Sequence, residues 1–557
     1  MGKQQRHADV PVVIVGSGPI GLAHSIELSR YGVDHLVLGL EMSTAQHPKA
    51  NAINARSMEH FRRLGLARNI RAEGLPLDYP IHIAYLTRLN GTELARFKLA
   101  SRGEVIQADA AGTPLGWPTP EHPHSLSQIF LEKILLEAAR DSAHSDIRLG
   151  WEVTALTEHD EFVEVQARER VTGADHRFVT RWLVGCDGAR STVRRSMGVA
   201  YEGDRKKRSY MGGSTVAIYI ESDELQRILS GHEALMYQVF NRELRAGGFS
   251  INGSNRFVFH FQAPEGTDPD DLDARTYFKA LAGQEFQYTT LSKLVWSAGL
   301  TLVAESMSTK RMFLAGDAAH LFTPTGGLGM NTGFDEAANL SWKLAAMELG
   351  WGAPALLDTY ATERRPVAVR NVTAASRIAD LIVGLDVPPA IEDLGAAGEA
   401  ARRLAGEKIT AAVTEEALTR GLQFGVRYED SPIIVADGTP EPPDSPTEYV
   451  PTARPGSRLP HFMLADGPIY DQLGPWFTLL CIDASTEGAV AGADLESLSV
   501  PVTLKRVDHD DLLAAYGAAY VLVRPDQHVA WRGMQPPTDL QGLLEIACGS
   551  GRGTINL

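Results

Sequence analysis

The sequence predicts an α/β protein with a parallel, doubly wound first unit, a separate antiparallel sheet and a further α/β unit at the C-terminus. Three observations lead to this prediction. Residues 10–40 read as strand, tight turn, helix and strand. Residues 214–262 hold several strand-like runs bounded by turn residues. Residues 477–482 and 520–524 are short apolar runs typical of strands.

The first unit is justified element by element. Val10 to Val15 is a continuous apolar run, as expected for a parallel strand buried on both faces. Leu22 to Tyr31 has helical spacing, and Gly32 follows it as a C-terminal cap. His35 to Leu38 then predicts the second strand.

Later segments extend the same pattern. Residues 128–141 carry a helical apolar stripe, and 160–185 alternate as a hairpin does. Residues 311–315 predict a short buried strand, and 331–349 a long helix with few breakers. Residues 435–460 are rich in Pro, Asp and Thr, which indicates an extended connector.

Bulk composition narrows the class of protein. A chain of 557 residues is long enough for two to four domains. Its net charge of −16 argues against a nucleic-acid partner. The three cysteines form no CxxC pair, so neither a zinc ribbon nor a dithiol motif is expected, and no metal site is predicted. No apolar run reaches the roughly 20 residues of a membrane helix. We therefore expect a cytoplasmic protein without a membrane partner.

The first chemical motif is the segment Gly16-Ser17-Gly18-Pro19-Ile20-Gly21. It follows a predicted strand and opens a predicted helix, the context that gives a GxGxxG pattern its meaning. The glycines permit a tight turn, close approach of a pyrophosphate and close packing of helix on strand, while the helix N-terminus offers free N–H groups. The motif predicts a dinucleotide site near the N-terminus.

Two further motifs follow at long intervals. One is the Asp-Gly segment from Gly185 to Arg194, which contains Asp187 and Gly188. The other runs from Leu314 to Asn331 and contains Gly316, Asp317 and a glycine-rich stretch. Each is an ordinary turn when taken alone, but their order and spacing together indicate a common site.

With these three motifs the chain resembles the single-component flavoprotein aromatic hydroxylases, the group with the para-hydroxybenzoate and phenol hydroxylase fold. The resemblance is close over residues 9–375 and looser to the end, where 523–532 resemble the thioredoxin-like terminal domain of the larger members. It implies a GR2-type Rossmann-like FAD-binding domain, an inserted antiparallel-sheet substrate domain and a C-terminal thioredoxin-like α/β domain. It also implies FAD as cofactor and NAD(P)H as a transient co-substrate.

The resemblance assigns roles residue by residue. The Asp-Gly segment serves FAD and NAD(P)H, Asp317 holds the ribityl chain, and the helix near Asn331 lies against the flavin, where its dipole favours the reduced anion. Arg56 matches an arginine near the FAD phosphates, and Gln128 a glutamine near the ribityl chain. The expected cofactor residues are Gly16, Gly18, Pro19, Ile20, Gly21, Glu41, Arg56, Gln128, Asp187, Gly188, Gly316, Asp317, Pro324, Gly327, Gly329, Met330 and Asn331.

The chain departs from this pattern at the adenosine ribose. The family usually ends its second strand with an acidic residue there, and this register falls on Gly39. Glu41 lies two positions further and shares the face of Gly39 if the strand continues. Either Glu41 binds the ribose, or the ribose is held by other groups.

A second departure concerns the substrate. Asn51 stands where phenol-type relatives carry a group that takes the phenol proton. An amide can hydrogen-bond a phenol oxygen but cannot act as a base. Either the base lies elsewhere, among Tyr237, His260, Arg245 and His124, or the substrate is an acidic phenol that needs little help. Pro324 is expected to border the substrate. His320, by contrast, is expected to be structural or near the cofactor.

The predicted function is hydroxylation of a phenolic ring. NAD(P)H reduces FAD, O₂ adds to give a flavin C4a-hydroperoxide, and the ring attacks the distal oxygen. The alternatives are the same fold acting on a polyketide or ketone, by Baeyer–Villiger insertion or epoxidation, and a non-catalytic scaffold role. The partners expected are a small aromatic substrate and O₂, with the chain a monomer or homodimer.

The expected domain division follows the same resemblance. The FAD-binding domain comprises residues 1–80, 105–200 and 300–395. The substrate domain comprises 81–104 and 201–299, and the thioredoxin-like domain comprises 396–557.

Overall fold

A computed structural model of the chain describes residues 8–111, 115–204, 214–263, 271–296, 300–482 and 498–551, with Gly266, Asp268 and Leu495. Within these residues the chain forms two large sheets, a smaller C-terminal sheet and the helices that cover them.

The first large sheet is built around the predicted N-terminal strand. Its order is β5-β2-β1-β8-β7-β6, with β16 also paired to β8. The pairs on either side of β1 are parallel, and the β6–β7–β8 meander is antiparallel. Val12, Val13 and Ile14 are fully buried because layers cover both faces. The strands are β1 (Val10–Val15), β2 (His35–Gly39), β5 (Ser145–Leu149), β6 (Trp151–Glu158), β7 (Val163–Glu169), β8 (Asp175–Gly185) and β16 (Met312–Leu314).

Helices flank this sheet and confirm the predicted strand–turn–helix order. The first begins at Pro19, since proline suits the first helical position. The long helix predicted at 331–349 begins three residues earlier. The helices are α1 (Pro19–Arg30), α2 (Ala55–Arg63), α3 (Ala67–Ala72), α5 (Gln128–Arg140), α6 (Thr192–Ser196), α9 (Leu328–Glu348) and α10 (Pro354–Val383). Short 3₁₀ turns cover Gly316–Ala318 and Thr325–Gly327.

The second large sheet confirms the predicted antiparallel block. Its order is β14-β10-β13-β12-β11-β3-β4, all antiparallel except the pair β11–β3. The strands are β3 (Ile83–Leu86), β4 (Glu93–Phe97), β10 (Ser214–Glu221), β11 (Met236–Phe240), β12 (Arg245–Ser250), β13 (Arg256–Ala263) and β14 (Thr289–Trp296). The helices with it are α4 (Arg102–Ala110), α7 (Asp223–Ile228), α8 (Ala274–Ala282) and α11 (Ala396–Ala417).

A separate three-stranded sheet is formed by β9 (Tyr201–Asp204), β15 (Thr301–Ala304) and β17 (His320–Leu321). The C-terminal unit has the order β21-β20-β22-β23, with β20 and β21 parallel. Residues 435–460 contain no helix or strand, as the connector prediction requires. The remaining elements are α12 (Arg420–Phe424), β18 (Met463–Leu464), β19 (Gly467–Pro468), a 3₁₀ turn at Ile469–Gln472, β20 (Phe477–Cys481), β21 (Val502–Arg506), α13 (Asp510–Tyr516), β22 (Tyr520–Val523), β23 (Val529–Gly533) and α14 (Leu540–Ala547).

Buried ion pairs join the C-terminal unit to the first domain. Arg458 donates to both carboxylate oxygens of Glu59 on α2, and Arg524 donates to Glu363 on α10 at 2.6 and 2.9 Å. All four side chains are almost fully buried. Removing one partner would leave an uncompensated buried charge, so this joint is expected to be rigid.

Across the described residues, every helix falls short of the length or the apolar character that crossing a membrane requires. The same residues hold no cluster of three or more His, Cys, Asp or Glu side chains placed to bind a metal ion.

Candidate active site

A single continuous cavity of about 2120 Å³ lies between the two large sheets. One end is lined by residues 18–20 and by Gly188. Its middle passes Asp317 and the start of α9, where the second sheet forms the floor. Its other end reaches Trp117 and Arg420. The cavity therefore brings the three sequence motifs and the substrate sheet to one space.

Two glycines of the turn are required for close packing of the backbone, and a third lines the cavity. Gly16 has φ +110°, and a Cβ there would lie 2.3 Å from the Cys186 carbonyl oxygen. A Cβ on Gly21 would lie 1.9 Å from the Gly16 carbonyl oxygen. Gly18 lines the cavity and has no heavy atom within 4 Å of its Cβ position. Gly18, with Pro19 and Ile20, thus presents open backbone at the N-terminus of α1, as a bound diphosphate requires.

The Asp-Gly segment follows β8. Asp187 Oδ2 accepts hydrogen bonds from the N–H groups of Thr192 at 2.6 Å and Val193 at 3.2 Å, so it caps α6. Its Oδ1 is buried without a hydrogen-bond partner in the described chain, and burial raises the pKa of this carboxyl. Gly188 and Cys186 line the cavity, whereas Asp187 lies behind them.

Asp317 provides a carboxylate in the middle of the cavity. Its side chain is open to the cavity, while its backbone carbonyl accepts a hydrogen bond from the Tyr201 hydroxyl at 2.7 Å. No group in the described residues donates to the carboxylate, and its removal from bulk water raises its pKa. An acceptor placed in this way suits a ligand with hydroxyl groups.

His320 has a structural position, in line with the expectation for it. Its Nε2–H donates to Glu336 Oε1 at 2.7 Å, and Glu336 Oε2 accepts the Gly316 N–H at 2.8 Å. Both side chains are fully buried. This chain of contacts fixes the Gly316–Asp317 turn, where Gly316 has φ +60°.

Asn331 fastens the start of α9 to the segment before α2. Its Oδ1 accepts from the Asn54 N–H at 3.0 Å and the Ser57 hydroxyl at 2.7 Å. Its Nδ2 donates to the carbonyls of Ala52 and Gly327 at 3.1 and 2.6 Å. Because its amide is occupied in this way, Asn331 shapes the cavity wall. Pro324, Gly327, Gly329 and Met330 line the wall beside it.

Gln128 lies in the cavity wall at the start of α5. Its Nε2 donates to Glu132 Oε1 at 2.5 Å, and its backbone N–H donates to the Ala50 carbonyl at 2.7 Å. It therefore holds the segment that carries Asn51.

The structure places two expected cofactor residues outside the cavity. Arg56 is buried, and its guanidinium donates to Glu59 Oε2 at 2.7 Å, Gln527 Oε1 at 2.6 Å and the Asp526 carbonyl at 2.8 Å. Its donors are committed to α2 and to the C-terminal unit, so Arg56 cannot reach a phosphate in this arrangement.

Glu41 is the second of these residues. Strand β2 ends at Gly39, so the continuation that would put Glu41 on the ribose face is absent, and its side chain is exposed. A Cβ on Gly39 would lie 2.1 Å from Ser17 Oγ, which explains why the usual acidic residue is missing.

The floor is one row of residues across the second sheet. Ala217, His260, Gly247 and Gln238 are neighbours on adjacent strands, and all four line the cavity. Small residues on both sides of His260 leave a flat surface. Burial, and His47 nearby, lower the pKa of His260 to about 4, so it is neutral at pH 7.

Two expected catalytic residues are not in this row. Tyr237 alternates with Met236 and Gln238 and therefore points to the opposite face, where its hydroxyl accepts the Ala234 N–H at 2.8 Å. Arg245 lies at the strand end, over the Phe240 ring at 4.8 Å, and donates to the Val383 carbonyl at 3.3 Å. Neither position allows contact with a molecule in the cavity.

Asn51 does line the cavity, and its Oδ1 is buried without a partner in the described chain. His124 also lines it; its Nε2 lies 3.1 Å from the Glu73 carbonyl, and burial lowers its pKa to about 4. The motifs missed His47 and Lys49, just before Asn51. His47 Nδ1 lies 2.8 Å from Ser292 Oγ. Their proximity to Asn51 in sequence was the available signal.

The residues present fit FAD at three places. The Gly18 turn leaves room for a diphosphate, and Asp317 offers an acceptor that no protein group occupies in the described chain. The wall at 326–329 turns through two glycines with φ +71° and +61° before α9 begins, so a flat ring can approach the backbone.

Comparison with known proteins points the same way. Residues 9–375 match the family model described as FAD binding domain, and 452–550 match the one described as aromatic-ring hydroxylase, C-terminal. The chain is 30% identical to the FAD-dependent monooxygenase apdD of Emericella nidulans, over 94% of this chain and 87% of that protein. It is 28% identical to 2,4-dichlorophenol 6-monooxygenase of Delftia acidovorans (96% and 97%) and 29% to aklavinone 12-hydroxylase RdmE of Streptomyces purpurascens (96% and 98%).

Solved structures agree in fold. The rebeccamycin biosynthetic enzyme RebC with reduced flavin superposes with a TM-score of 0.87 at 32% identity, covering 97% of this chain and 99% of that one. The flavin-dependent monooxygenase PieE in complex with FAD and substrate gives 0.86 at 29% identity, covering 98% and 100%.

Proposed function

Because this chain belongs to the FAD-dependent aromatic-ring hydroxylases, and is thus a flavoprotein monooxygenase, we propose that it uses NAD(P)H and O₂ to hydroxylate a phenolic aromatic substrate. The observation that carries the proposal is the continuous cavity. It joins the Asp317 acceptor and the start of α9 to the flat floor around His260.

When bound, FAD would supply the redox chemistry that couples NAD(P)H and O₂ to hydroxylation of the substrate. The residues of the chain bind the cofactor and orient the substrate. Asp317 accepts hydrogen bonds from ribityl hydroxyls. The N-terminus of α9, with its positive dipole, would favour the negative charge of a reduced flavin held at this wall.

Asn51 orients the substrate. Its Oδ1, unpartnered in the described chain, accepts a hydrogen bond from the phenol hydroxyl and so sets which ring carbon faces the flavin. It cannot take the proton. His260 reaches the cavity in its neutral form, but a pKa of about 4 makes it a weak base. We therefore propose that the substrate is a relatively acidic phenol, which needs little help to ionise.

The size of the cavity favours a second candidate substrate. Small-molecule sites are typically about 300–1,000 Å³. A cavity of about 2120 Å³ accommodates FAD together with a ligand larger than one ring. A polycyclic, polyketide-derived phenol lying flat over Ala217 and Gly247 fits this space and keeps the same chemistry. No feature of the cavity in the described chain favours oxygen insertion next to a ketone or epoxidation.

We also propose the domain division set out from the sequence, with one change: α11 packs on the second sheet and so belongs with the substrate domain. The first sheet draws its strands from residues 10–185 and 312–314, and the second from 83–97 and 214–296, which supports it. The C-terminal unit contributes no residue beyond 423 to the cavity lining in the described chain, so we propose that it stabilises the FAD-binding domain.

Steady-state oxidation of NADH and NADPH by the purified yellow protein tests the proposal. Single-ring phenols and hydroxylated polycyclic aromatics are compared, with hydrogen peroxide and products both quantified. A compound that accelerates oxidation and gains a hydroxyl group supports the proposal and identifies the substrate class. Hydroxylated product from none of them, with FAD bound, contradicts it.

A further inference from the structure

The charge of the cavity lining is opposite to that of the whole protein. The chain carries a net charge of −16, yet seven Lys and Arg residues line the cavity against three carboxylates, Asp109, Glu121 and Asp317. A cleft lined by one sign of charge concentrates ligands of the other sign. The lining thus selects for anions even though the protein surface repels them.

The positive residues do not surround the glycine turn. Residues 18–20, Gly188 and Ala189 line that end of the cavity and include no Lys or Arg. Six of the seven positive charges, all except Lys49, gather at the other end, on α2–α4, the segment after β4 and α12. We call this end the basic arm and define it by Arg68, Arg71, Lys98, Arg102, Arg420 and Trp117. The diphosphate of FAD, held at the glycine turn, leaves this excess uncompensated.

Within the described residues, the protein neutralises only one cation of the basic arm. Arg71 donates to Glu121 at 2.8 Å, a carboxylate that it shares with Arg62. Arg102 donates to the backbone carbonyl of Arg71, and Arg420 to that of Gly116 at 3.0 Å.

The two remaining cations are exposed. Arg68 and Lys98 form no ion pair within the described residues. Burial and the nearby Arg71 lower the pKa of Arg102, as expected where positive groups crowd together.

Apolar and aromatic surface lies among these cations. Trp117 lines the arm and packs edge-on to Phe424, with ring centroids 6.2 Å apart. Leu115 and Ile106 line the same stretch and are exposed to it. A flat ring can pack on these side chains, and a carboxylate attached to it can reach a guanidinium, whose planar donors match carboxylate geometry.

We propose that the basic arm binds the acidic group of an aromatic substrate, a carboxylate or an equivalent anion, while the ring to be hydroxylated lies over the floor around His260. The substrate class is then an anionic, extended phenol. This inference rests on the proposed function for the identity of the ligand, but binding to the arm can be measured without turnover.

Two matched probes test it. 6-Hydroxy-2-naphthoate and 2-naphthol share the two-ring phenol and differ only in the carboxylate. Binding to the FAD-loaded protein is followed by equilibrium dialysis at low and high salt. We expect the naphthoate to bind at least about tenfold more tightly at low salt, since hydrogen bonds to charged groups are the stronger ones. The advantage should shrink as salt screens the charges.

Variants locate the effect. Arg102→Gln with Arg420→Gln should weaken naphthoate binding about tenfold or more and leave 2-naphthol unchanged. Arg227→Gln, an exposed residue on α7 outside the cavity, is the matched control. FAD content and thermal midpoint check folding. Should the double variant misfold, Arg68→Gln with Lys98→Gln gives the same test, because their side chains are exposed.

The outcomes separate the two proposals. Equal, salt-insensitive binding of both probes overturns the basic arm as an anion site. A variant that weakens binding of NADH or NADPH and leaves binding of the naphthoate unchanged also overturns the proposal. The basic arm would then bind the phosphates of the nicotinamide cofactor. Arginine-dependent binding without any hydroxylated product keeps the anion site and counts against the proposed function alone.

Discussion

Asp317→Asn is expected to weaken FAD binding without destabilising the apoprotein. The carboxylate opens to the cavity, and no group in the described residues donates to it. Its partial removal from bulk water inside the cavity raises its pKa, so the ionised carboxylate does not contribute to the stability of the apoprotein at neutral pH. Replacing it with a neutral amide keeps one acceptor.

The size of the effect follows from the hydrogen bonds involved. A bond to a charged acceptor contributes about 1.5–3 kcal/mol, and a neutral one about 0.5–1.5 kcal/mol. The difference of about 1.4 kcal/mol corresponds to about tenfold in the FAD dissociation constant. Flavin fluorescence titration of the apoprotein gives that constant, and thermal unfolding of the apoprotein gives stability.

Asp335→Asn is the matched control. Burial opposes ionisation of Asp335, but a 2.7 Å hydrogen bond from His60 and the charges of Arg364 and Arg56 outweigh it and lower its pKa. Asp335 does not line the cavity. This control should lose about 3 kcal/mol of stability. Unchanged FAD affinity in Asp317→Asn, or lower apoprotein stability, would refute the assignment.

Three further predictions concern the wall, the domain joint and the turn. Asn51→Ala should raise KM for the aromatic substrate or lower kcat about two- to tenfold with an unchanged melting temperature; no kinetic change would make Asn51 a packing residue. Glu59→Gln should cost about 3–5 kcal/mol, because it leaves the buried Arg458 without its carboxylate partner and removes one of the two carboxylates beside Arg56. Burial opposes ionisation of Glu59, but those arginines outweigh it and lower its pKa. Its contribution is therefore present at neutral pH and lost as pH falls below about 4, so the difference between the melting temperatures of wild type and variant should shrink there. Gly21→Ala should fail to fold stably, whereas Gly18→Ala should fold and lose FAD affinity, with circular dichroism and flavin titration as readouts.

Local sequence patterns predicted the elements whose signals are themselves local. Strand β1 matches its prediction, and β2 and α1 differ only at their ends. The pattern predicts nothing between 350 and 434, where α10 and α11 lie. Pro366 lies inside α10, and a proline at that position in the sequence argues against a continuous helix.

The parts of the site that the sequence missed depend on contacts between distant residues. Arg56 matches a family position, but its partners Asp526 and Gln527 are about 470 residues away and lie in another unit. Tyr237 and His260 are both aromatic polar residues on the same sheet, and only the register shows that they face opposite sides. Charges in the basic arm come from separate segments that no single motif joins.

Incubation of the FAD-loaded protein with NAD(P)H, an anionic polycyclic phenol and oxygen-18 gas tests the central claim most directly. The account predicts a product with one new hydroxyl group whose oxygen comes from the labelled gas, in proportion to the NAD(P)H consumed. Oxidation of NAD(P)H that yields only hydrogen peroxide, or a hydroxyl oxygen that comes from water, would contradict it.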